Sequence, residues 1–525
     1  MATEKEQDTG FVISESLQKV AKGSSIVFIG SMLSLIPLFL GRIIITRVWT
    51  KSDYGLYSLA IAILSITMVI STLGLIQGVS RNIAYARGKK EYEKISTLIS
   101  ASIWFSLITS IFTGLILFLF SEQISLKIFH EPALITPLKI FAIAVPLTSL
   151  INIFVSIFRG FDQIKPFVFF QQILLRVLFP IFFIIVVFLN LPFVYIFIAH
   201  ATSIFITLIV LIIYSVRKAH TFAFFSLKFI RSSVSKDLLI FSLPLLLTAI
   251  LSNLLHITDT LMLGSLKNTA QVGLYNAALP SAHFISFPLA ALLMIYIPVF
   301  TGLYAKNKHR EIRRNYMILT KWLCSATLPL FAVLFLYPEQ SLTFLFGSTY
   351  APSADALRIL SLGFMLNNLV GPCGASLIGI GKSRFVMYAS LSMVFLNFTL
   401  NATLIPFFAI IGAAVATMTS SISINIIQSL KLYSLIGAIS ISKNLVKPMF
   451  VSIVLFVLFY LVIQYLIDIR PWMVLIILIF FYLIFIISII FTRSLDQEDL
   501  KMLQILEAKT GRKSKIFRRL ILRFQ

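Results

Sequence analysis

Apolar runs long enough to cross a membrane return again and again along this chain. A bilayer core of roughly 30 Å is crossed by about 20 apolar residues in an α-helix. Because lipid offers no partners to backbone polar groups, such runs must form helices. Hydrophobic residues make up 58% of the sequence and charged residues 12%, which excludes an ordinary soluble fold. We therefore predict an all-α polytopic membrane protein.

Charged residues and Pro, Gly or Asn punctuate these runs and predict about fourteen transmembrane spans. The links near residues 190 and 406 are the shortest. The predicted spans are 24–46, 54–77, 95–120, 135–158, 167–189, 191–215, 238–263, 272–300, 317–337, 353–380, 384–406, 407–430, 448–467 and 471–492.

The Lys and Arg residues cluster on alternate sides of the predicted spans. With a cytoplasmic N-terminus, most of the 44 Lys and Arg residues fall on the inner side. This asymmetry predicts a multi-pass protein of the cell (plasma or inner) membrane with both termini cytoplasmic. The same clustering argues against a nucleic-acid partner, despite the net charge of +24. The basic residues on the outer side are Arg47, Lys51, Lys127, Lys267 and Arg470.

The first twelve predicted spans contain an internal repeat with an offset of about 218 residues. Two six-helix lobes of the same orientation would be related by a pseudo-twofold axis along the membrane normal, with a substrate site between them near the midplane. Two extra C-terminal helices lie outside the repeat. The matching pairs are residues 54–57 with 272–275, 85–89 with 304–308, and 166–167 with 384–385.

This repeat predicts how the chain is divided. The N-lobe carries spans one to six, the C-lobe carries spans seven to twelve, and short polar segments flank and join them. The predicted segments are a cytoplasmic N-terminal segment 1–23, an N-lobe 24–215, a cytoplasmic linker 216–237, a C-lobe 238–430, spans thirteen and fourteen within 448–492, and a basic cytoplasmic tail 493–525.

Several motifs resemble those of one transporter family. They are Leu40-Gly41-Arg42-Ile43, Lys51-Ser52-Asp53-Tyr54-Gly55-Leu56-Tyr57, Gly74-Leu75 with Gly78-Val79-Ser80-Arg81, Pro244 with Asp259-Thr260-Leu261-Met262-Leu263-Gly264, and Leu495-Asp496-Gln497-Glu498-Asp499-Leu500. Together they resemble the polysaccharide-biosynthesis flippases of the multidrug/oligosaccharidyl-lipid/polysaccharide exporter superfamily.

That resemblance implies a function and a mode of action. Members of the oligosaccharide branch carry lipid-linked sugars from the cytoplasmic to the outer leaflet, and fourteen spans suit that branch. The resemblance implies a lipid-linked oligosaccharide or polysaccharide repeat unit as substrate, moved by alternating access among membrane lipids. Glycan-assembly enzymes are candidate partners.

Basic residues within spans are the first candidates for substrate binding, because intramembrane charge is rare and usually functional. Arg176 lies inside span five, where its guanidinium could clamp phosphate oxygens. The alternative is a structural bond to Gln171 or Gln172, or snorkelling. Arg42 and Arg47 lie at the outer end of span one, where they bind substrate or anchor the interface.

Three weaker candidates complete the substrate-binding set. Arg358 lies near an outer helix end and either enters a cavity or snorkels. Asn367 and Asn397 could hydrogen-bond sugar hydroxyls, with interhelical contact as the alternative role.

Span seven carries the candidate ion-coupling residues. Asn253, His256 and Asp259 are spaced i, i+3, i+6 and share one helical face. Asp259 would bind H⁺ or Na⁺ with His256 as a titrating neighbour, or would form an interhelical ion pair. Pro37 and Pro244 occupy equivalent spans of the two lobes and are hinge candidates.

The sequence contains no nucleotide fingerprint, zinc spacing or catalytic-triad context, so no catalytic residue, metal or cofactor is predicted. Three alternatives stay open: a peptidoglycan lipid-precursor flippase, a multidrug cation antiporter of the same superfamily, and a polytopic glycosyltransferase or polymerase. A single acidic residue, Asp259, against Arg42 and Arg176 in the span interiors favours an anionic cargo. Short predicted outer loops disfavour the enzyme.

Overall fold

A computed structural model of the chain describes residues 27–218, 232–437 and 442–494. These residues are helical and contain no strand, so the all-α prediction is confirmed. Twelve helices in this part of the chain are long and apolar enough to cross a membrane, so the count of fourteen is not confirmed. The predicted segment 1–23, most of the linker 216–237 and the tail beyond Ser494 lie outside the described residues.

The chain divides into two compact units between Gly273 and Leu274. The lobe boundaries inferred from the repeat stay a prediction. Unit 1 contains helices α1 (Val27–Val48), α2 (Lys51–Ser71), α3 (Leu75–Gly88), α4 (Tyr92–Leu119), α5 (Ile135–Gly160), α6 (Ile164–Phe188), α7 (Tyr195–Lys218) and α8 (Ser233–Leu266).

Unit 2 begins within the helix that follows α8. It contains most of α9 (Thr269–His283), then α10 (Phe287–Ala305), α11 (His309–Leu336), α12 (Pro338–Phe346), α13 (Ala354–Val370), α14 (Cys373–Gly379), α15 (Ser383–Ile436), α16 (Lys443–Leu466) and α17 (Met473–Phe491).

One predicted span, 272–300, proves to be two helices. A short 3-10 segment, Phe284–Ser286, separates α9, which has 15 residues, from α10, which has 19. Pro288 stands in the first turn of α10, where a missing backbone N–H is tolerated. The sequence signal for this break was therefore present, but the apolar run masked it.

The predicted spans 384–406 and 407–430 correspond to the two helical arms of α15, which meet at a sharp reversal at Ala409. Ala409 has φ 48° and ψ −123°, which no helix accommodates. Asn397 Nδ2 donates to Thr417 Oγ1 at 3.3 Å, although twenty residues of straight helix would span about 30 Å. A Cβ on Gly412 would lie 2.5 Å from the Leu404 carbonyl oxygen. The two arms of α15 are therefore antiparallel and closely packed.

Helices extend beyond the apolar runs that predicted them. The residues that follow the predicted span 54–77 are helical as far as Gly88 in α3. Likewise α11 starts at His309, eight residues before the predicted span. Hydropathy marks where lipid begins, whereas a helix ends only where its backbone hydrogen bonds end.

The junction between α2 and α3 in unit 1 packs closely against α8. Gly74 has φ 71°, a left-handed conformation that favours glycine. A side chain at Gly74 would also clash with the backbone of α8 at Ser242 and Leu246. The break in this helix pair therefore lies against the turn of α8 that contains Pro244.

In unit 2 the last two helices pack onto α11. Phe456 of α16 stacks on Phe481 of α17 with ring centroids 4.3 Å apart, and both belong to one buried cluster with Cys324 and Leu328 of α11. The Tyr482 hydroxyl donates to the Ala326 carbonyl at 2.7 Å. Aromatic packing and a hydrogen bond thus hold these two helices against α11.

Candidate functional site

Helix α1 presents one face to its surroundings and the opposite face to α6. Ile29, Leu33 and Ile36 are exposed, as expected for a surface in lipid. The small residues Gly30 and Gly41 instead meet Val168 and Phe179 of α6 so closely that a methyl group at either glycine would clash. Gly30 contacts Val168, and Gly41, further along α1, contacts Phe179, further along α6. The two helices therefore run in the same direction, as the predicted topology requires of spans one and five.

Polar side chains line this helix contact between the two glycines. Ser31 Oγ donates to Gln172 Oε1 at 3.1 Å, and Arg176 Nη1 donates to Ser34 Oγ at 2.8 Å. The segment Phe167–Leu174 of α6 is wound as a π-helix just before Arg176. Such segments are rare and often occur at functional sites.

A second guanidinium, that of Arg42, lies near the first. Arg42 is close enough to Arg176 for their positive charges to interact, and both side chains are partly buried. The guanidinium of Arg42 also lies 5.5 Å from the centroid of the Phe39 ring. Among the described residues, no carboxylate forms an ion pair with either arginine. We call Arg42, Arg176, Ser31, Ser34 and Gln172 the arginine cluster.

The arginine cluster favours an anionic ligand. A guanidinium is always charged, donates up to five hydrogen bonds and accepts none. Two of them held together in a membrane helix pair repel each other and lose hydration. Phosphate oxygens would relieve both effects, because they bring negative charge and accept paired hydrogen bonds.

The other predicted arginines lie apart from this cluster. Arg47 is exposed at the end of α1. Arg358 Nη1 donates to Asp355 Oδ1 at 2.8 Å, one turn away on α13, and its Nε donates to the Phe335 carbonyl. Arg358 therefore has a local acidic partner, unlike the arginine cluster, and its role in substrate binding stays a prediction.

Predicted amide residues of unit 2 bond to other side chains of that unit. Asn367 Oδ1 accepts from Asn425 Nδ2 at 2.9 Å, and Asn397 Oδ1 accepts from Asn401 Nδ2 at 3.0 Å. Asn397 is buried, whereas Asn367 is partly exposed. The bond between Asn367 and Asn425 fits the interhelical role that was the alternative for Asn367. For Asn397 the corresponding contact is its bond to Thr417 across the two arms of α15.

The candidate ion-coupling residues share α8 but differ in environment. Asp259 is buried, whereas His256 is exposed. Asn253 Oδ1 accepts from Ser65 Oγ of α2 at 3.3 Å. The hinge candidates Pro37 and Pro244 lie inside α1 and α8. In the described ranges no group of three or more His, Cys, Asp or Glu side chains is placed to hold a metal ion.

Sequence reasoning did not single out Ser31, Ser34 or the proximity of Arg42 to Arg176. The small residues Gly30, Ser34 and Gly41 do carry a signal, since small side chains at helical spacing mark close helix contacts in membranes. Nothing in the sequence, however, says that the partner of α1 is α6.

Comparison with known families and proteins agrees with this architecture. The family model described as polysaccharide biosynthesis protein matches residues 20–303, just over half of the chain, and the MatE model matches residues 244–403. The teichuronic acid biosynthesis protein TuaB of Bacillus subtilis is 25% identical over 132 residues, which cover 25% of this chain and 27% of that protein. The match thus spans about a quarter of this relative.

Solved structures share the fold at low sequence identity. The lipid II flippase MurJ, in an inward closed conformation, has a TM-score of 0.69 and 16% identity, covering 89% of this chain and 99% of that one. An inward-facing multidrug resistance MATE family transporter of the MOP superfamily has a TM-score of 0.64 and 15% identity, covering 79% and 98%. The resemblance found in the sequence is confirmed: this multi-pass membrane chain belongs to the polysaccharide biosynthesis protein family and has a transporter fold, not that of an enzyme.

Proposed function

We propose that this protein is a flippase for lipid-linked oligosaccharide or polysaccharide repeat units. It carries them from the cytoplasmic to the outer leaflet by alternating access. The observation that carries this proposal is the arginine cluster of unit 1, in which two partly buried guanidinium groups are near enough for their charges to interact. The phosphate groups that join a glycan to its lipid have the charge and the acceptor oxygens that these donors need.

Two alternatives in the same superfamily differ in cargo. A multidrug cation antiporter requires negative charge where its cargo binds, and the arginine cluster supplies the opposite sign. A peptidoglycan lipid-precursor flippase also carries a phosphate-linked glycan, so the arginine cluster suits it equally. The family match, described as polysaccharide biosynthesis, favours the polysaccharide unit as cargo.

The remaining elements of the proposal concern energy and location. Asp259, buried in α8, would bind H⁺ or Na⁺ as the coupling ion, with His256 nearby on the same helix. Pro37 and Pro244 would let α1 and α8 bend during transport. The protein would lie in the cell (plasma or inner) membrane with both termini cytoplasmic, where glycan-assembly enzymes supply its substrate.

Leaflet accessibility of a labelled lipid-linked oligosaccharide in proteoliposomes tests this proposal. The wild-type protein should transfer the label across the bilayer, and Arg176→Ala should abolish most of the transfer. Lys127→Ala is the matched control, because Lys127 is an exposed basic residue of unit 1 outside the arginine cluster.

Two results would contradict the proposal in different ways. If wild-type protein transfers no lipid-linked glycan but extrudes organic cations, the antiporter is the correct assignment. If Arg176→Ala and Lys127→Ala both transfer the glycan at the wild-type rate, the flippase function stands and the arginine cluster is not its binding site.

A further inference from the structure

Helix α6 is irregular on both sides of Arg176. Before this residue, the segment Phe167–Leu174 is wound as a π-helix. After it, Pro180 lies inside the helix and has no N–H to donate to the carbonyl four residues earlier, which is that of Arg176. A π-helical turn and a proline are both established causes of helix kinks. The backbone of α6 therefore holds Arg176 less firmly than a regular helix would.

Two neighbouring glutamines attach the π-helix to two different helices. Gln172 Oε1 accepts from Ser31 Oγ of α1 at 3.1 Å, and this bond belongs to the arginine cluster. Gln171 Nε2 donates to Asn152 Oδ1 of α5 at 2.8 Å, outside that cluster. Because the two glutamines are adjacent, the bond of Gln171 to α5 restricts the rotation of α6 that places Gln172 against α1.

Asn152 is a firm anchor for this bond. It is only 5% exposed, and its Nδ2 donates to Met68 Sδ of α2 at 3.3 Å while its Oδ1 accepts from Gln171. One turn earlier on α5, Ser149 shares a hydrogen bond with Ser71 of α2. An amide that uses its donor and its acceptor in a buried network has one orientation. The contact of α5 with α2 thus fixes the group to which Gln171 binds.

The winding of α6 also aligns the side chains that face α1. Val168, Gln172 and Arg176 follow one another at intervals of four residues, and all three meet α1. In a regular α-helix each such interval turns the side chain by about 40°, so the third residue would point about 80° away from the first. The wider turns of a π-helix, with bonds from i to i+5, reduce this rotation. A change of this winding would therefore turn Arg176 relative to Ser34.

We propose that the bond between Gln171 and Asn152 positions Arg176 for the phosphate of its ligand. Gln171 is a positioning residue, because it acts through the winding of α6 and does not itself bind the ligand. Its bond to α5 holds the π-helix, and the π-helix directs Arg176 toward α1, where its charge interacts with that of Arg42. This inference rests on one part of the proposed function, namely that the arginine cluster binds phosphate.

The alternative role of this bond is only to hold α5 against α6. Interhelical hydrogen bonds of that kind are common in membrane proteins. The two roles differ in one measurable respect. A bond that positions Arg176 affects ligand binding only while Arg176 is present, whereas a bond that only stabilises the helix pair acts equally with and without this arginine.

Equilibrium binding of radiolabelled farnesyl pyrophosphate, a short isoprenoid lipid with two linked phosphates, to the purified full-length protein tests this inference. Gln171→Leu should weaken binding about tenfold, and Asn152→Ala, which removes the same bond from the α5 side, should do the same. In the Arg176→Gln protein, Gln171→Leu should have no further effect. The exchange Asn152→Gln/Gln171→Asn should restore most of the binding, because the two amides together keep their length.

Asn82→Leu is the matched control. Asn82 is a partly buried amide of the same unit, but its Nδ2 donates to the Gly78 carbonyl of its own helix at 2.9 Å. This variant should bind the probe as the wild type does. Circular dichroism and thermal unfolding of each variant check that the protein is folded.

Three results would overturn the inference. Absence of binding by wild-type protein would show that the arginine cluster holds no phosphate. Equal weakening by Gln171→Leu with and without Arg176, or by Asn82→Leu, would show a general structural effect. Failure of the amide exchange to restore binding would show that the bond is not what matters at these positions.

Failure of the proposed function gives a different result. If binding of farnesyl pyrophosphate depends on Gln171 only in the presence of Arg176, but proteoliposomes transfer no lipid-linked glycan, the positioning role stands and the flippase assignment is wrong. If glycan is transferred and Gln171→Leu leaves binding unchanged, the flippase assignment stands and the positioning role is wrong.

Discussion

The two units use different polar chemistry inside similar helical frameworks. In unit 1, the charges of Arg42 and Arg176 are near enough to interact, and Arg176 donates to Ser34 Oγ. In unit 2, several amide side chains at helix contacts bond to one another or to backbone, as when Asn368 Nδ2 donates to the Ile285 carbonyl at 2.9 Å. Asn425 and Asn367 form a similar pair at 2.9 Å.

This difference separates a structural use of polarity from a functional one. An amide donates and accepts, so two amides satisfy each other within the protein. A guanidinium only donates and stays charged, so two of them need an acceptor that the described part of unit 1 supplies only through neutral groups such as Ser34 Oγ. We infer that unit 2 uses its amides to hold helices together, whereas unit 1 keeps its arginines for a ligand.

The strongest test of this contrast is Arg176→Gln, which removes the charge but keeps a polar side chain. Transport of a lipid-linked glycan should fall about 10- to 100-fold, because a hydrogen bond between charged groups contributes roughly 1.5–3 kcal/mol. Initial rates in proteoliposomes measure this, with circular dichroism as the check on folding. A transport rate unchanged from wild type would contradict the inference that the arginines of unit 1 bind the ligand.

The opposite pattern is expected for Asn368→Leu in unit 2. The change leaves the Ile285 carbonyl without its donor and should lower the free energy of unfolding by about 1.5 kcal/mol. Transport per folded molecule should be preserved. Denaturant titration gives the stability, and Asn315→Leu, at a partly exposed position on α11, is the control. Loss of transport without loss of stability would assign this amide to the substrate instead.

Ala409→Gly should stabilise unit 2. Ala409 holds a φ of 48°, a conformation that costs a residue with a Cβ about 1 kcal/mol or more. Glycine adopts this conformation freely, so the midpoint temperature of thermal unfolding should rise. The control is Ala413→Gly, in a regular helical stretch of the same α15, which should destabilise the protein. A downward shift for both would show that residue 409 is helical in the folded protein.

The smallest expected effect is the coupling between Arg42 and Arg176. If the two charges repel, each single variant removes the repulsion, and the double variant removes it only once. The free energy of unfolding of Arg42→Gln/Arg176→Gln should therefore be about 0.5 kcal/mol lower than the sum of the two single effects predicts. A double-mutant cycle of unfolding free energies measures this term. Coupling of the opposite sign would mean that the arginines attract through a shared anion already bound.

The sequence was sufficient for the fold class and the family but not for the arginine cluster. Arg42 and Arg176 were each identified as intramembrane charges, since a charge within an apolar run is visible by itself. Their proximity depends on the packing of α1 against α6, which lie far apart in the chain. Periodicity within one helix carries no information about which helix it meets.

The predicted count of fourteen spans is not confirmed, for a related reason. Hydropathy averages over a window, so it cannot see a 3-10 turn such as Phe284–Ser286 inside an apolar run. The reversal at Ala409, by contrast, lies close to the predicted boundary between spans 384–406 and 407–430. The break at Phe284–Ser286 depends on backbone conformation. The apolar character of the surrounding residues stays the same on either side.

The reversal at Ala409 also restricts how unit 2 can move. Its two arms are joined without a loop, and a hydrogen bond connects Asn397 of one arm to Thr417 of the other. We therefore expect the two arms to move as one rigid body. Any bending within unit 2 must then be absorbed at other joints. Gly371, with φ 83° between α13 and α14, and the 3-10 turn Phe284–Ser286 are two such joints.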